Sequence, residues 1–264
     1  MKTMTFRLLA LGDVVGESAC LALRRRLPSL RKELGADLVV ANGENSAARN
    51  GIRPETAELL YAAGVDLVTT GNHVFRRREI YDFLDGAGSL LRPCNFPGSC
   101  PGRGYTVLNI SGLRVLAVNL LGTLFMEALA SPFETMEKIL RTEEGKYDFA
   151  ICDLHAEATS EKRAFACHFD SRLAAVFGTH THVQTADETV LSGGTGFITD
   201  LGMCGSTRGV LGMKKEIGVG RFLTHMPTPY ETETGDMEAQ GALFEIDPTT
   251  GRCLKVERVR ASLE

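Results

Sequence analysis

The sequence predicts an α/β fold built on a largely parallel sheet. Short apolar runs alternate with helical stretches through the N-terminal third, and each run stops at a polar cluster, usually opened by a glycine. The composition points to no other class, since 44% hydrophobic and 23% charged residues are ordinary for a globular chain. At 264 residues the chain has length for one large domain that buries ~75% of its unfolded surface. No repeat, linker or low-complexity tail divides it, so residues 1–264 are expected to form a single domain.

Taken in order, residues 6–11 read as a buried strand and 18–34 as a helix closed by Gly35. Residues 37–41 give a second strand, 54–63 a helix with Pro54 at its start, and 65–69 a third strand. Residues 105–110 and 113–119 form a hairpin around Ser111-Gly112. A strand over 147–152, a helix over 161–169 and strands near 173–177 and 196–199 follow. From 203 to 235 the chain is rich in Gly, Thr and Pro and reads as long loops; with the residues up to about 240 they are placed to form a lid.

The net charge of -4 argues against a nucleic-acid backbone as main partner, because a phosphate footprint needs a basic excess, and no stable nucleic-acid complex is expected. A small nucleotide held through metals stays compatible with it. The seven cysteines contain no C-x-x-C pair and read as reduced thiols. Asp13 and Glu17 interrupt the first apolar run before it could serve as a signal peptide, and no run approaches the ~20 residues of a membrane span. A cytoplasmic protein with no membrane partner is expected; a homo-oligomer is left open.

The chemistry lies in the polar clusters at the strand ends: Gly12-Asp13, Gly43-Glu44-Asn45, Gly71-Asn72-His73, Asp153-Leu154-His155 and Gly178-Thr179-His180-Thr181-His182. Ligands of open α/β sheets bind beyond the carboxyl ends of strands, so these clusters should converge on one crevice. Singly, each has a plain reading: Asp13 as a helix N-cap, Asn45 and Asn72 as turn residues, His155 as a core histidine. Five coincident strand ends outweigh those readings. The side chains offer two carboxylates, two amides and four imidazoles, a mixture that suits Mn, Fe or Zn better than Ca or Mg. So many donors exceed one ion's needs, and Glu44 is the candidate bridge between two.

This set resembles the motif series of the calcineurin-like metallophosphoesterases. More narrowly, Gly12-Asp13-Val14-Val15-Gly16, Asn42-Gly43-Glu44-Asn45 and His180-Thr181-His182-Val183-Gln184-Thr185-Ala186-Asp187, with the stretches 200–203 and 209–213, resemble the YmdB-like bacterial family of cyclic-nucleotide phosphodiesterases. The resemblance runs from about residue 6 to 250. It implies a layered α/β/β/α sandwich with the active site at strand C-terminal ends. It also implies a dinuclear phosphodiesterase acting on 2′,3′- and 3′,5′-cyclic nucleotides by metal-activated hydroxide attack, with Fe or Mn ahead of Zn.

Carried over residue by residue, the resemblance implies one metal on Asp13, Glu44, Asn45 and His182 and the other on Glu44, Asn72, His155 and His180. His73, bound to neither, is the implied general acid, and Asp153 is expected either to orient a ligand imidazole or to serve as a turn residue. This chain departs from the wider superfamily at Val15, which cannot bind metal, at Glu44, which stands where a bridging Asp is usual, and at Val74, which leaves His73 without an adjacent carboxylate. An arginine of Arg76-Arg77-Arg78 is a candidate phosphate grip against the usual reading of a solvated charge run. His168 and His225 read as surface residues. The competing functions are a phosphomonoesterase and a metal-dependent nucleotide sensor with vestigial turnover; a nicotinamide-binding domain is excluded because Gly12–Gly16 lacks G-x-G-x-x-G.

Overall fold

The computed structural model describes residues 5–263; residues 1–4 and 264, the ends of the expected 1–264 unit, lie outside the described residues. The expected alternation opens the chain as β1 (Phe6–Val14), α1 (Glu17–Leu34), β2 (Leu38–Asn42), α2 (Pro54–Ala62), β3 (Leu67–Thr69) and α3 (Ile80–Gly86). A hairpin of β4 (Tyr105–Ile110) and β5 (Leu113–Leu121) leads to α4 (Pro132–Thr142), β6 (Phe149–His155), α5 (Thr159–His168) and β7 (Ala175–Thr179). After these come β8 (Thr189–Val190), β9 (Gly196–Ile198), β10 (Met203–Ser206), α6 (Lys215–Thr224), β11 (Met237–Asp247) and β12 (Arg252–Ser262).

The strands form two six-stranded sheets, ordered β12-β11-β10-β1-β2-β3 and β4-β5-β6-β7-β9-β8. Side chains alternate across a strand, and that period assigns every apolar residue to a layer. On β1, Leu9 and Leu11 pack with Ala19, Leu23 and Leu27 of α1, whereas Leu8 and Ala10 face Val115 and Ala117 of β5. On β5, Leu116 and Val118 turn the other way onto Met136 of α4 and Phe165 of α5. The result is helix, sheet, sheet, helix, the expected four-layer sandwich. Each fully buried Leu or Phe contributes ~1.5–3 kcal/mol of transfer free energy, so the three cores need no disulfide; all seven cysteines are free thiols.

Three local rules fix the element ends. Gly35 sits at φ 62°, the left-handed conformation that closes a helix, and terminates α1. Pro54 and Pro132 occupy the first turns of α2 and α4, where a missing N–H costs nothing. Ser131 caps α4 by accepting from the Glu134 N–H.

The stretch expected as long loops is corrected by the structure. Its first residues form β10, parallel to β1 at Asp13 and Val14, and its middle forms α6. Gly218 and Gly220 inside α6 weaken its helical signal, which is why composition favoured loop there. The C-terminal β11–β12 hairpin is likewise new: β11 lies antiparallel to β1 from Phe6 to Leu11, below the point where β10 takes over.

Candidate metal-binding active site

All five clusters meet at one end of the molecule. Asp13 ends β1, Glu44 and Asn45 follow β2, and Asn72 and His73 follow β3, so these arrive from the first sheet. His155 ends β6, and His180 and His182 follow β7, so these arrive from the second. The glycines make room for the approach. A Cβ on Gly71 would run into the His155 ring and Glu44 Oε2, and one on Gly178 into the Thr199 carbonyl.

Glu44 is the centre of the arrangement. Its carboxylate is fully buried, and its Oε1 lies 3.3 Å from Asn45 Nδ2 and 3.2 Å from His155 Nε2. Asn45 Nδ2 in turn lies 3.3 Å from Asp13 Oδ1 and 3.2 Å from His182 Nε2. His155 Nε2 lies 3.1 Å from both Asn72 Oδ1 and His180 Nδ1. Glu44 therefore stands between two donor groups, Asp13–Asn45–His182 on one side and Asn72–His155–His180 on the other. Glu44, His155 and His180 offer ligand atoms that all fall within 4.8 Å of one another.

Each of the three inward imidazoles has its other nitrogen held by a protein acceptor. His155 Nδ1 meets Thr179 Oγ1 at 2.8 Å, His180 Nε2 meets Glu157 Oε2 at 3.0 Å, and His182 Nδ1 meets the Leu211 carbonyl at 3.2 Å. Donation there makes His155 Nε2, His180 Nδ1 and His182 Nε2 the nitrogens turned toward the shared centre, each able to offer a lone pair to a cation when it holds no proton. Beneath His155, Thr179 donates to Asp153 Oδ1 at 2.7 Å, while Thr69 and Asn42 donate to Asp153 Oδ2. Asp153 thus orients the imidazole, as one of its two readings expected, but through Thr179 rather than by direct contact.

The segment bearing His180 and His182 is held by a fully buried ion pair. Lys162 Nζ donates to Asp200 Oδ2 at 2.8 Å and to the Thr179 carbonyl at 2.9 Å; the same Asp200 oxygen accepts from the Thr181 N–H at 3.1 Å. Asp13 Oδ2 accepts from the His180 N–H at 2.9 Å. Between these anchors His180 and His182 adopt φ values of 102° and 62°, at an expected cost of ~1–3 kcal/mol each. Removing one partner of such a pair leaves a buried charge and costs ~3–5 kcal/mol, so truncating Lys162 or Asp200 alone should loosen the segment.

The electrostatics show two charges looking for counter-charges. Burial pushes Asp13 and Glu44 up, yet the imidazolium of His182 holds Asp13 below its ordinary value and that of His155 holds Glu44 well below. Burial depresses His155, but Glu44 and then Asp13 and Asp153 outweigh it and lift the ring to about 9. Burial, helped by the neighbouring His155 charge, lowers His180. Burial lifts Asp153 to about 6 against the pull of His155 and its three donors.

His73 finds the partner that the sequence did not supply. Its N–H donates to Glu44 Oε2 at 2.8 Å, and its Nδ1 lies 2.9 Å from Asn45 Oδ1 and 3.2 Å from Glu44 Oε1. The triple arginine does not reach the centre: Arg77 binds the carbonyls of Ala48, Arg49 and Asn50, and none of the three lines the site. A different arginine, Arg221, lines the cavity above it. This cavity, of about 450 Å³, opens over Glu44, His73 and His180, walled by Leu211, Met213, Arg221, Phe222 and Tyr230 from the segment around α6. His168 and His225 are exposed, and His168 pairs with Glu137.

Sequence reasoning missed Asn42, Thr179, Glu157, Lys162, Asp200 and Arg221. Asn42, Thr179 and Asp200 stand within the quoted motifs and were given no role there; Lys162 carries no local signal. The donor chemistry passes a direct test for a cation: two buried carboxylates, oxygen-bearing amides and three oriented imidazole lone pairs suit borderline ions such as Mn, Fe or Zn.

A model of the family described as YmdB-like protein matches residues 9–259 of this chain. Among curated proteins, the chain is 38% identical over 253 residues to the 2′,3′-cyclic-nucleotide 2′-phosphodiesterase of Bacillus subtilis (strain 168), covering 96% of each. A solved structure of a hypothetical protein from Thermus thermophilus is 38% identical, with a TM-score of 0.91 over 97% of this chain and 99% of that one. A novel phosphatase from Mycoplasma pneumoniae is 31% identical, also at TM-score 0.91, over 98% of this chain and 94% of that one.

Proposed function

This chain belongs to the YmdB-like family, and from that premise we propose that it is a metal-dependent phosphoric ester hydrolase that opens cyclic nucleotides, 2′,3′-cyclic ones first. One observation carries the reading: Glu44 lies between two groups of donors whose imidazole lone pairs all face inward. Asp13, Glu44, Asn45 and His182 would hold one cation, and Glu44, Asn72, His155 and His180 the other. Asn45 presents its amide nitrogen to that group, and a half-turn of the amide brings its oxygen there instead. When bound, two such ions supply an acidified water and neutralise charge on a phosphate.

The chain's own residues account for the rest. His73, held at Nδ1 by Glu44 whichever way the Asn45 amide is turned, keeps Nε2 for the cavity, where its imidazolium form donates a proton to the leaving ester oxygen. Tyr230, Phe222, Met213 and Leu211 give a nucleobase an apolar wall, and Arg221 offers a guanidinium to the phosphate. The segment 203–240 acts as a lid within a single catalytic unit, which its wall residues support. Seven free thiols fit a reducing cytoplasm.

The test is a panel of 2′,3′-cyclic, 3′,5′-cyclic and aryl phosphate substrates with protein reconstituted in Mn²⁺ or Fe²⁺. Turnover of a cyclic nucleotide that ends on chelation and returns with metal is the expected result. Turnover of aryl monoesters alone would make it a phosphomonoesterase, and stoichiometric metal and nucleotide binding without turnover would make it a sensor.

A further inference from the structure

A second cavity, of about 950 Å³, lies between the 92–105 segment, the turn at 128–130 and one side of α4, and shares no lining residue with the catalytic cavity. Arg92 lines it from a buried position. Its Nε donates to the Pro101 carbonyl at 3.2 Å and its Nη1 to the Pro93 carbonyl at 2.9 Å, and among the described residues Nη2 has no acceptor. Arg103 and Lys138 line the same cavity, and among the described residues none of these three cations pairs with a carboxylate. The one acid in the lining, Asp85, accepts the Gly102 N–H at 2.7 Å. Held by two carbonyls and no carboxylate, this guanidinium has N–H donors to spare for an anion in the cavity it lines. Leu84, Phe96 and Ile139 add apolar lining.

We propose that this cavity binds a small organic oxyanion, a phosphate or carboxylate on an apolar body, with Arg92, Arg103 and Lys138 facing the anionic end. The volume falls within the range of ligand sites, and the mixture of apolar wall and few convergent cations is what such a ligand needs. Guanidinium groups recognise both headgroups through the same paired N–H donors.

Cys94 lines the cavity and reports its occupancy. Burial pushes its thiol up, while Arg92 and Lys138 pull it back, which places both cations within electrostatic reach of the sulfur. The experiment follows alkylation of Cys94 in the metal-loaded protein at mildly alkaline pH by peptide mass spectrometry. Exposed Cys167 serves as internal reference. The probes are phenylphosphonate, which has no ester to hydrolyse, benzoate, and neutral benzyl alcohol.

A site of roughly millimolar affinity gives about sixfold protection of Cys94 at ~5 mM probe. Protection by phenylphosphonate or benzoate, with none by benzyl alcohol and none at Cys167, is expected, and the stronger of the two anions names the headgroup. Lys138→Glu and Arg103→Glu, both on the cavity rim and exposed, should cut protection to below about twofold, each rate being compared with and without probe in the same variant. No protection by either anion, equal protection by the alcohol, or protection that survives both charge reversals would overturn the proposal.

Discussion

The two sheets bring different chemistry to the same centre. The end of β1 and the loops after β2 and β3 contribute Asp13, Glu44, Asn45 and Asn72, side chains that each carry an oxygen, with His73 beside them, whereas β6 and the loop after β7 contribute the imidazoles His155, His180 and His182. The oxygen side is held largely by its own loops and by burial. The nitrogen side is held from beneath, by the Thr179–Asp153 pair and by the Lys162–Asp200 clamp, because an imidazole must be turned as well as placed. The difference teaches that charge is supplied by one sheet and direction by the other. The two can be broken separately.

The largest effect should come from the charge side. Glu44→Gln keeps the shape but removes the one negative charge between the two donor groups. Turnover should fall by more than roughly 10³-fold, the order lost with a principal electrostatic stabiliser, and bound metal should drop by elemental analysis while the thermal midpoint stays measurable. Wild-type activity in this variant would end the two-cation reading. Next comes His73→Ala, which should lose roughly 10²–10⁴-fold in turnover with metal content unchanged, and less for nitrophenyl esters whose leaving group needs no proton. Metal loss there would turn His73 into a ligand.

A smaller effect isolates direction. Thr179→Val removes the acceptor of His155 Nδ1 without touching a carboxylate of the oxygen side, and should weaken metal affinity by roughly 10–100-fold with the fold intact. Unchanged affinity by titration calorimetry would show that β6 alone places the ring. A last test compares the two sides by pH, in small steps. In the protein alone the Glu44 charge lifts His155 to about 9, above its ordinary 6.5, so the ring carries a proton below that value and a cation must displace it. Metal affinity should therefore rise with pH up to about 9, by ~tenfold per unit for each displaced proton, and fall on acidification. Calorimetry in buffers of differing ionisation enthalpy should detect that release, and a pH-independent affinity from 6.5 to 9 would contradict it.

The oxygen side was the more legible in the sequence. Gly43-Glu44-Asn45 and Gly71-Asn72-His73 announce themselves because a glycine and its polar followers are contiguous, and the strand period then puts them at one end. The supports of the nitrogen side are pairings between distant residues, Thr69 with Asp153 and Lys162 with Asp200, and no local pattern reveals a partner 84 or 38 positions away. The fold divides in the same manner. Strands β1 to β3 follow from apolar runs between turn signals, while α6 hides behind two glycines and β12 alternates exposed charges that resemble a loop. A phosphate grip was expected among Arg76–Arg78, where arginine is dense in sequence, whereas the arginine that lines the cavity is Arg221.

The pairing of β1 with β11 has a consequence in time. Phe6 lies opposite Ile246, so the first strand made waits for one of the last before its second edge is complete. At synthesis rates of ~5–20 residues per second, that wait is roughly 10–50 s. Asp13, at the top of β1, leaves the ribosome long before β11 comes to pair with the lower part of that strand. Until then β1 carries Asp13 on a sheet with one edge still open along Phe6 to Leu11.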